Sequence, residues 1–223
     1  MEGNIIGTIS LGSLVLRADL LIFLLSAVIG YIVLSIRLRH HEAGSWIKDT
    51  YVNTLGIGFF LWKFSILFFD PLEAFSNPMS LLYFTGGQRG LWLGVLGAVA
   101  YLIYRGYRNR PHIILLIKGV VLAYGAVQAA RFTLLSMSEG ITGWENPLFA
   151  LLSAALAIAA WLKFEYPTKS FVPLALWYSI GSVVIPFLNG NRDVVLVGFS
   201  LQQLLFVLLA IFILILDALW DTR

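Results

Sequence analysis

The sequence predicts an all-α polytopic membrane protein with seven transmembrane helices, organised as a single domain over residues 1–223. Hydrophobic residues make up 59% of the chain and charged residues only 12%, which is far from the average of soluble proteins. A water-soluble protein of this length has no interior large enough to bury so much apolar surface. Seven apolar runs are also long enough to cross a bilayer core about 30 Å thick as helices.

Helix breakers and capping residues separate the seven runs and set their bounds. Pro71 and Pro147 mark two of the loops, because proline favours turns and the first turn of a helix. Pro186 should end or kink the sixth span, since proline removes a hydrogen bond from a helix interior. The predicted spans are 18–36, 51–69, 85–104, 113–134, 147–163, 171–188 and 196–217.

The charges of the loops predict the orientation of these spans. Lys and Arg concentrate in the loops after the first, third and fifth spans, whereas the alternate loops carry mainly acidic residues. Because Lys and Arg are retained in the cytoplasm, the N-terminus is predicted to lie outside and the C-terminus inside. The first residues lack a basic region and a small-residue cleavage site, so we expect the first span to remain in the mature protein.

Several kinds of chemistry are excluded or unsupported. The chain has no cysteine, which excludes disulfides and thiolate metal sites. No metal-ligand spacing and no phosphate-binding glycine loop is present, so neither a metal nor a cofactor is predicted. The net charge of +3 is assigned to the cytoplasmic loops and does not indicate a nucleic-acid partner.

Five cations lie in or at the edge of the apolar spans, where a central charge costs about 2.5–3.5 kcal/mol. The predicted topology places Lys118 near the cytoplasm and the other four in the outer half of the membrane. Those four are Arg17, Lys63, Arg89 and Arg131. If they converge on one cavity, they would bind an anionic group, and a phospholipid phosphate fits the planar fork of arginine. The alternative is that each side chain extends separately to the head-group region.

Small residues recur every fourth position in the third span. Gly86, Gly90, Gly94 and Ala98 form one stripe, which lets a neighbouring helix approach closely. Arg89 lies about 100° further around the helix and is therefore predicted to flank this helix contact. Alternatively, the stripe serves only helix packing and has no part in a binding site.

Five stretches carry motifs that are similar to those of one family. "ISLGSLVLRADLLIFLLSAVIGYIVLSIRLR" is similar to that family's first helix, and "FTGGQRGLWLGVLGAVAYLIYR" to the segment with its "GGLSFHGGLIGA" pattern. "AVQAARFTLLSMSEG" falls at the "GRIGNFLNGE" signature, "NPLFALL" at "HPTQLYE", and "FSLQQLLFVLLAIFILIL" at the last span. The chain thus resembles the bacterial prolipoprotein diacylglyceryl transferases. These are seven-span enzymes of the plasma membrane that transfer diacylglycerol from phosphatidylglycerol to a prelipoprotein cysteine.

The resemblance implies roles for individual residues. Arg131 matches the signature arginine, which implies head-group binding and catalysis, and Glu139 matches the signature glutamate, which implies proton transfer. Tyr178 matches a family tyrosine and is predicted to contact the lipid. The family's histidine is replaced by Arg89 and its late arginine by Ser182, so the resemblance implies the fold more strongly than the activity.

Three functions follow as alternatives. The first is a lipid-transfer enzyme in which Arg131, Arg89 and Lys63 stabilise phosphate charge and Glu139 handles a proton. The second is a catalytically inactive paralogue that binds an anionic phospholipid or a lipoprotein and assists another membrane protein. The third, less supported because only Lys118 lies near the cytoplasm, is a small anion transporter. The resemblance implies that the protein lies in the bacterial plasma membrane as a multi-pass protein.

Overall fold

The structure is a computed structural model, and it describes residues 8–11, 14–76, 86–138, 144–188, 194–196 and 198–221. These residues are almost entirely helical. They form helices α1 (Ala18–Arg37), α2 (Gly44–Lys63), α3 (Ile66–Phe69), α4 (Pro71–Ser76), α5 (Gly87–Arg108), α6 (Ile113–Ser138), α7 (Glu145–Leu162), α8 (Val172–Val184) and α9 (Leu201–Asp221). Short 3-10 segments at Arg110–His112, Thr168–Phe171 and Ile185–Leu188 adjoin α6 and α8.

Four helical segments within the described residues are long and apolar enough to cross a membrane. They are Leu20–Arg37, Arg110–Ser138, Glu145–Leu162 and Thr168–Leu188. The stretch Leu201–Ile215 of α9 is apolar but shorter. Large apolar side chains stay exposed along these helices, as expected where lipid replaces water as the solvent. The fold is therefore that of an α-helical membrane protein.

Helix bounds agree with the predicted spans at several points. α1 coincides with the first predicted span to within one residue, and α7 coincides with the fifth predicted span to within two residues. The prediction for Pro186 is confirmed, because α8 ends at Val184 and a 3-10 segment follows.

The second predicted span, residues 51–69, differs from the structure. α2 begins at Gly44, ends at Lys63 and is followed by a break before α3. The break brings the fully buried Ser65 against the next long helix, where its Oγ donates a hydrogen bond to the Gly86 carbonyl oxygen at 3.3 Å. The hydrogen bond to Gly86 lies at this break and joins two segments that are distant in the sequence. The apolar run alone therefore does not predict where α2 ends.

The chain divides into two compact units. The larger unit contains residues 1–37 and 118–223, and the smaller unit contains residues 38–117. The prediction of a single seven-helix domain is not tested by this division and stays a prediction.

Close packing of α2 on α5 defines the smaller unit. A Cβ atom at Gly94 would lie 2.6 Å from the Gly58 carbonyl oxygen, and one at Gly90 would overlap Ser65. A Cβ atom at Gly58 would contact the Ala98 side chain at 3.6 Å. The prediction that the small-residue stripe lets another helix approach is confirmed, and α2 is that helix.

In the larger unit, α8 packs against both α7 and α9. Gly125 of α6 lies against α7, because a Cβ atom there would be 2.9 Å from the Ala157 backbone nitrogen. The fully buried Gln203 joins α9 to α8: its Nε2 donates to the Val183 carbonyl oxygen at 2.9 Å, and its Oε1 accepts from the Ser200 amide at 2.8 Å.

One short strand pairing precedes α1. Strands β1 (Thr8–Leu11) and β2 (Leu14–Arg17) run antiparallel, with Thr8 opposite Arg17 and Leu11 opposite Leu14. This pairing is not part of the predicted all-α fold, and α1 begins at the residue that follows β2.

Candidate functional site

A row of polar side chains lies along one face of α6. Tyr124, Gln128 and Arg131 are spaced by four and three residues, so they lie on the same side of the helix. Tyr124 is 40% exposed, Gln128 is partly exposed and Arg131 is exposed. The polar row, defined by these three residues, is thus accessible on a helix that is otherwise composed mainly of Leu, Val, Ile and Ala.

Long hydrogen bonds connect the polar row to the bundle interior. Gln128 Nε2 donates to the Tyr124 hydroxyl at 3.4 Å, and the Tyr178 hydroxyl donates to the same oxygen at 3.5 Å. Ser153 Oγ lies a further 3.5 Å from the Tyr178 hydroxyl. Since Tyr124 accepts both bonds, its own proton remains available to an acceptor on the open face.

Aromatic contacts fix the two tyrosines in this arrangement. The rings of Tyr124 and Tyr178 meet edge to face with centroids 5.6 Å apart, and Tyr178 meets Phe206 of α9 in the same way at 5.9 Å. Tyr178 is only 5% exposed. It therefore contacts the open face through Tyr124, and its direct contact with a lipid head group stays a prediction.

The guanidinium group of Arg131 is positioned by an aromatic contact and is available to a ligand. Its Cζ lies 5.4 Å from the centre of the Phe132 ring, and that ring stacks on Phe149 at 4.8 Å. In the part of the chain that the structure describes, the guanidinium has no hydrogen-bond acceptor and no carboxylate partner. The group can therefore take a bidentate oxyanion without first breaking an internal ion pair.

The other predicted lipid-binding cations lie on other elements of the chain. Lys63 is the last residue of α2 and is half-buried, whereas Arg89 is exposed in the first turn of α5. Both belong to the smaller unit, and Arg131 belongs to the larger one. Arg17 is the last residue of β2, and Glu139 lies outside the described residues. Convergence of these cations on one cavity stays a prediction.

Lys118 is engaged by backbone carbonyl groups. Its Nζ donates to the carbonyl oxygens of Phe164 at 2.9 Å and Tyr166 at 2.6 Å, and it lies 5.8 Å from the centre of the Phe171 ring. The residue is only 8% exposed. These carbonyl groups follow the end of α7, where backbone acceptors lack helical partners. Lys118 thus stabilises a helix end within the larger unit.

Sequence reasoning missed the residues that complete the polar row. Tyr124 and Gln128 are polar positions on the same face as Arg131, and their spacing of four and three was the available signal. Ser153 gives no such signal, because its side chain is completely buried and meets Tyr178 only through the packing of α7 and α8. Ser182, at the position of the family's late arginine, is also completely buried.

No family model, no curated protein and no solved structure matches this chain. The diacylglyceryl transferase resemblance therefore rests on the quoted motifs alone. Among the described residues, no group of three or more His, Asp or Glu side chains is arranged to hold a metal ion.

Proposed function

We propose that this protein binds an anionic phospholipid, with the head-group phosphate at Arg131 and with Gln128 and Tyr124 as further polar contacts. The observation that carries the proposal is the guanidinium of Arg131, which lies on a long apolar helix without an acceptor among the described residues. An ionisable residue in a membrane-spanning helix is expected to have a functional partner. A lipid phosphate supplies the missing charge and the oxygen acceptors.

The chemistry of the polar row suits a phosphate diester. Arginine offers parallel N–H groups that match two phosphate oxygens, and charge-assisted hydrogen bonds of this kind contribute about 1.5–3 kcal/mol. The available proton of Tyr124 can be donated to a glycerol or phosphate oxygen below the guanidinium. Arg131 thus supplies the strong contact to phosphate, and Gln128 and Tyr124 supply weaker hydrogen bonds. These additional bonds favour a lipid head group over a free phosphate ion.

The proposal includes the membrane topology predicted from the sequence. Seven spans with the N-terminus outside would place Arg131 near the outer end of its span, in the outer leaflet of a bacterial plasma membrane. The basic loops after spans one, three and five support this orientation. The bound lipid would then be phosphatidylglycerol or a similarly anionic phospholipid.

We favour binding over diacylglyceryl transfer. Transfer to a thiol needs a group that accepts a proton near neutral pH, whereas the polar row consists of a phenol, an amide and a guanidinium, which do not. The family's histidine is also replaced by Arg89. Glu139, the predicted proton acceptor, lies outside the described residues. The proposed activity is therefore binding without transfer: the protein would bind an anionic phospholipid or a lipoprotein and assist another membrane protein.

Native mass spectrometry of protein purified in mild detergent tests lipid binding. The wild type should retain phosphatidylglycerol in preference to phosphatidylcholine, and Arg131→Ala should retain at least one phosphatidylglycerol fewer than the wild type. Arg110→Ala is the matched control, because Arg110 is an exposed arginine outside the polar row. Equal lipid retention by wild type and Arg131→Ala would contradict the proposal.

A transfer assay distinguishes a binding protein from an enzyme. Wild-type protein mixed with phosphatidylglycerol and a lipobox peptide should release no glycerol phosphate. Release that depends on both Arg131 and Glu139 would instead support the transferase alternative and overturn the binding-only proposal.

A further inference from the structure

An apolar groove runs between α1, α6 and α7 in the larger unit. Its volume is about 530 Å³. Ile29 and Val33 of α1 form one wall, and Ala130 of α6 and Ala154 of α7 lie among the small residues opposite them. Along α7 the groove extends from Ala154 to Leu162, which corresponds to about 12 Å of helix. This length is close to one leaflet of a hydrocarbon core about 30 Å thick.

Arg37 lies at one end of this groove. It follows Val33 by four residues on the same face of α1, and its Cζ is 5.7 Å from the ring of Trp161, which lines the groove. Its Nη2 forms an ion pair with Glu165 at 2.7 Å. Its Nε is buried and has no hydrogen-bond partner among the described residues. The apolar groove therefore ends at a partly exposed guanidinium, whose Nη groups are the donors that a phosphate can reach.

Positive charge exceeds negative charge at this end of the groove. Arg37 lies over the Phe164 ring at 4.7 Å, and Lys118 Nζ binds the Phe164 carbonyl oxygen. Lys118 pairs with carbonyl groups beyond the end of α7, whose partial negative charge offsets only part of the full charge of the ammonium group. Glu165 is the carboxylate that the structure shows in an ion pair here, and its side chain is largely exposed. The junction of two cations and one carboxylate is expected to attract an anion.

We infer that this groove is a second lipid position, distinct from the polar row: one acyl chain of an anionic phospholipid lies in the groove and its phosphate binds at Arg37. The charge at the groove end selects an anionic lipid over a zwitterionic one. The apolar lining selects a hydrocarbon chain over a polar ligand. This inference does not depend on lipid binding at Arg131, because the groove residues of α6 lie on a different face from the polar row.

Photo-crosslinking in liposomes tests the second lipid position. The probe is phosphatidylglycerol with a diazirine on its acyl chain, and the matched probe is phosphatidylcholine with the same chain. We expect the phosphatidylglycerol probe to label the peptide covering residues 154–162 of α7, which contains no residue of the polar row. Arg37→Gln should reduce this labelling about tenfold, as expected for loss of a charge-assisted contact. Arg39→Gln, two residues further along, should leave it unchanged.

A steric variant separates acyl-chain binding from a purely structural role of Arg37. Ala130→Phe fills the groove and should reduce labelling, whereas Val120→Phe, an exposed α6 position outside the groove, should not. Arg131→Ala should leave labelling of the groove intact even if it removes lipid from the polar row. Thermal unfolding of each variant checks that the fold is retained.

Three outcomes would overturn the inference. The first is equal labelling by the two probes, and the second is labelling that persists in both Arg37→Gln and Ala130→Phe. The third is a dimer in native mass spectrometry that Ala130→Phe dissociates, which would show that a helix of a second copy occupies the groove.

Discussion

The Nζ atom of Lys118 lies 2.9 Å from the carbonyl oxygen of Phe164, beyond the C-terminal end of α7. A helix end presents carbonyl groups without helical partners and carries a partial negative charge. A buried ammonium group donates hydrogen bonds to these carbonyl groups and also compensates part of the negative charge. Lys118, although it lies in an apolar span, therefore has a structural role in the larger unit. Its contacts with backbone carbonyl groups do not favour the transporter alternative, in which it would bind a passing anion.

Replacing Lys118 should destabilise the larger unit. Lys118→Met keeps the length of the side chain but leaves the Phe164 and Tyr166 carbonyl groups without this donor, so the free energy of unfolding should fall by about 2–3 kcal/mol. The measurement is thermal unfolding in detergent. Lys163→Met is the control, because Lys163 is a neighbouring, partly exposed lysine. A Lys118→Met variant with wild-type stability but altered anion flux in liposomes would instead revive the transporter alternative.

A methyl group at the contact between α2 and α5 should disrupt their packing. In Gly94→Ala the new Cβ atom would meet the Gly58 backbone oxygen at 2.6 Å, so the helices must separate and the midpoint of thermal unfolding should fall. Gly56→Ala is the matched control, since a Cβ atom there meets nothing within 4 Å. It should be neutral or stabilise by up to about 1 kcal/mol through helix propensity. Equal effects of the two variants would contradict this packing.

Removing the amide of Gln203 should weaken the contact between α8 and α9. Gln203→Leu leaves the Val183 carbonyl and the Ser200 amide without their partners, and each unsatisfied buried group costs about 1–3 kcal/mol. Gln202→Leu changes the adjacent, exposed glutamine and should have little effect. If urea or thermal unfolding shows the same stability for both variants, the assigned hydrogen bonds are wrong.

Tyr178 should affect lipid affinity through Tyr124. Tyr178→Phe retains the ring contacts but removes the hydroxyl that donates to Tyr124, so phosphatidylglycerol affinity should weaken by no more than about tenfold. Ser179→Ala is the control, because Ser179 Oγ donates to the Ala175 carbonyl within its own helix. A larger loss than that of Arg131→Ala would show that Tyr178 contacts the lipid directly.

Features that depend on local sequence could be predicted. The glycine stripe at Gly90 and Gly94 predicted a close helix contact because residues four apart share a helix face. Pro186 predicted the end of α8 because a proline cannot donate the next hydrogen bond. The strand pairing also had a local signal, since Gly12-Ser13 lies between two apolar runs and is typical of a hairpin turn. The all-α prediction did not take this signal into account.

Features that depend on packing between distant segments could not be predicted. Arg37 is one of several basic residues near the end of a span, and only the fold brings it to Glu165 and to the rim of an apolar groove. Ser153 and Tyr178 are 25 residues apart in the chain. Arg131 was found from its charge in an apolar span, but the sequence does not show that Phe132 and Phe149 fix its position.

The most direct test of lipid binding at Arg131 is an experimental density map of the protein in nanodiscs that contain phosphatidylglycerol. We expect head-group density with the phosphate oxygens within hydrogen-bond distance of the Arg131 guanidinium and beside Gln128. The same density should be missing from a map of Arg131→Ala prepared in parallel. Continuous acyl-chain or solvent density at the polar row in the wild type, with no phosphate near Arg131, would contradict the proposed function.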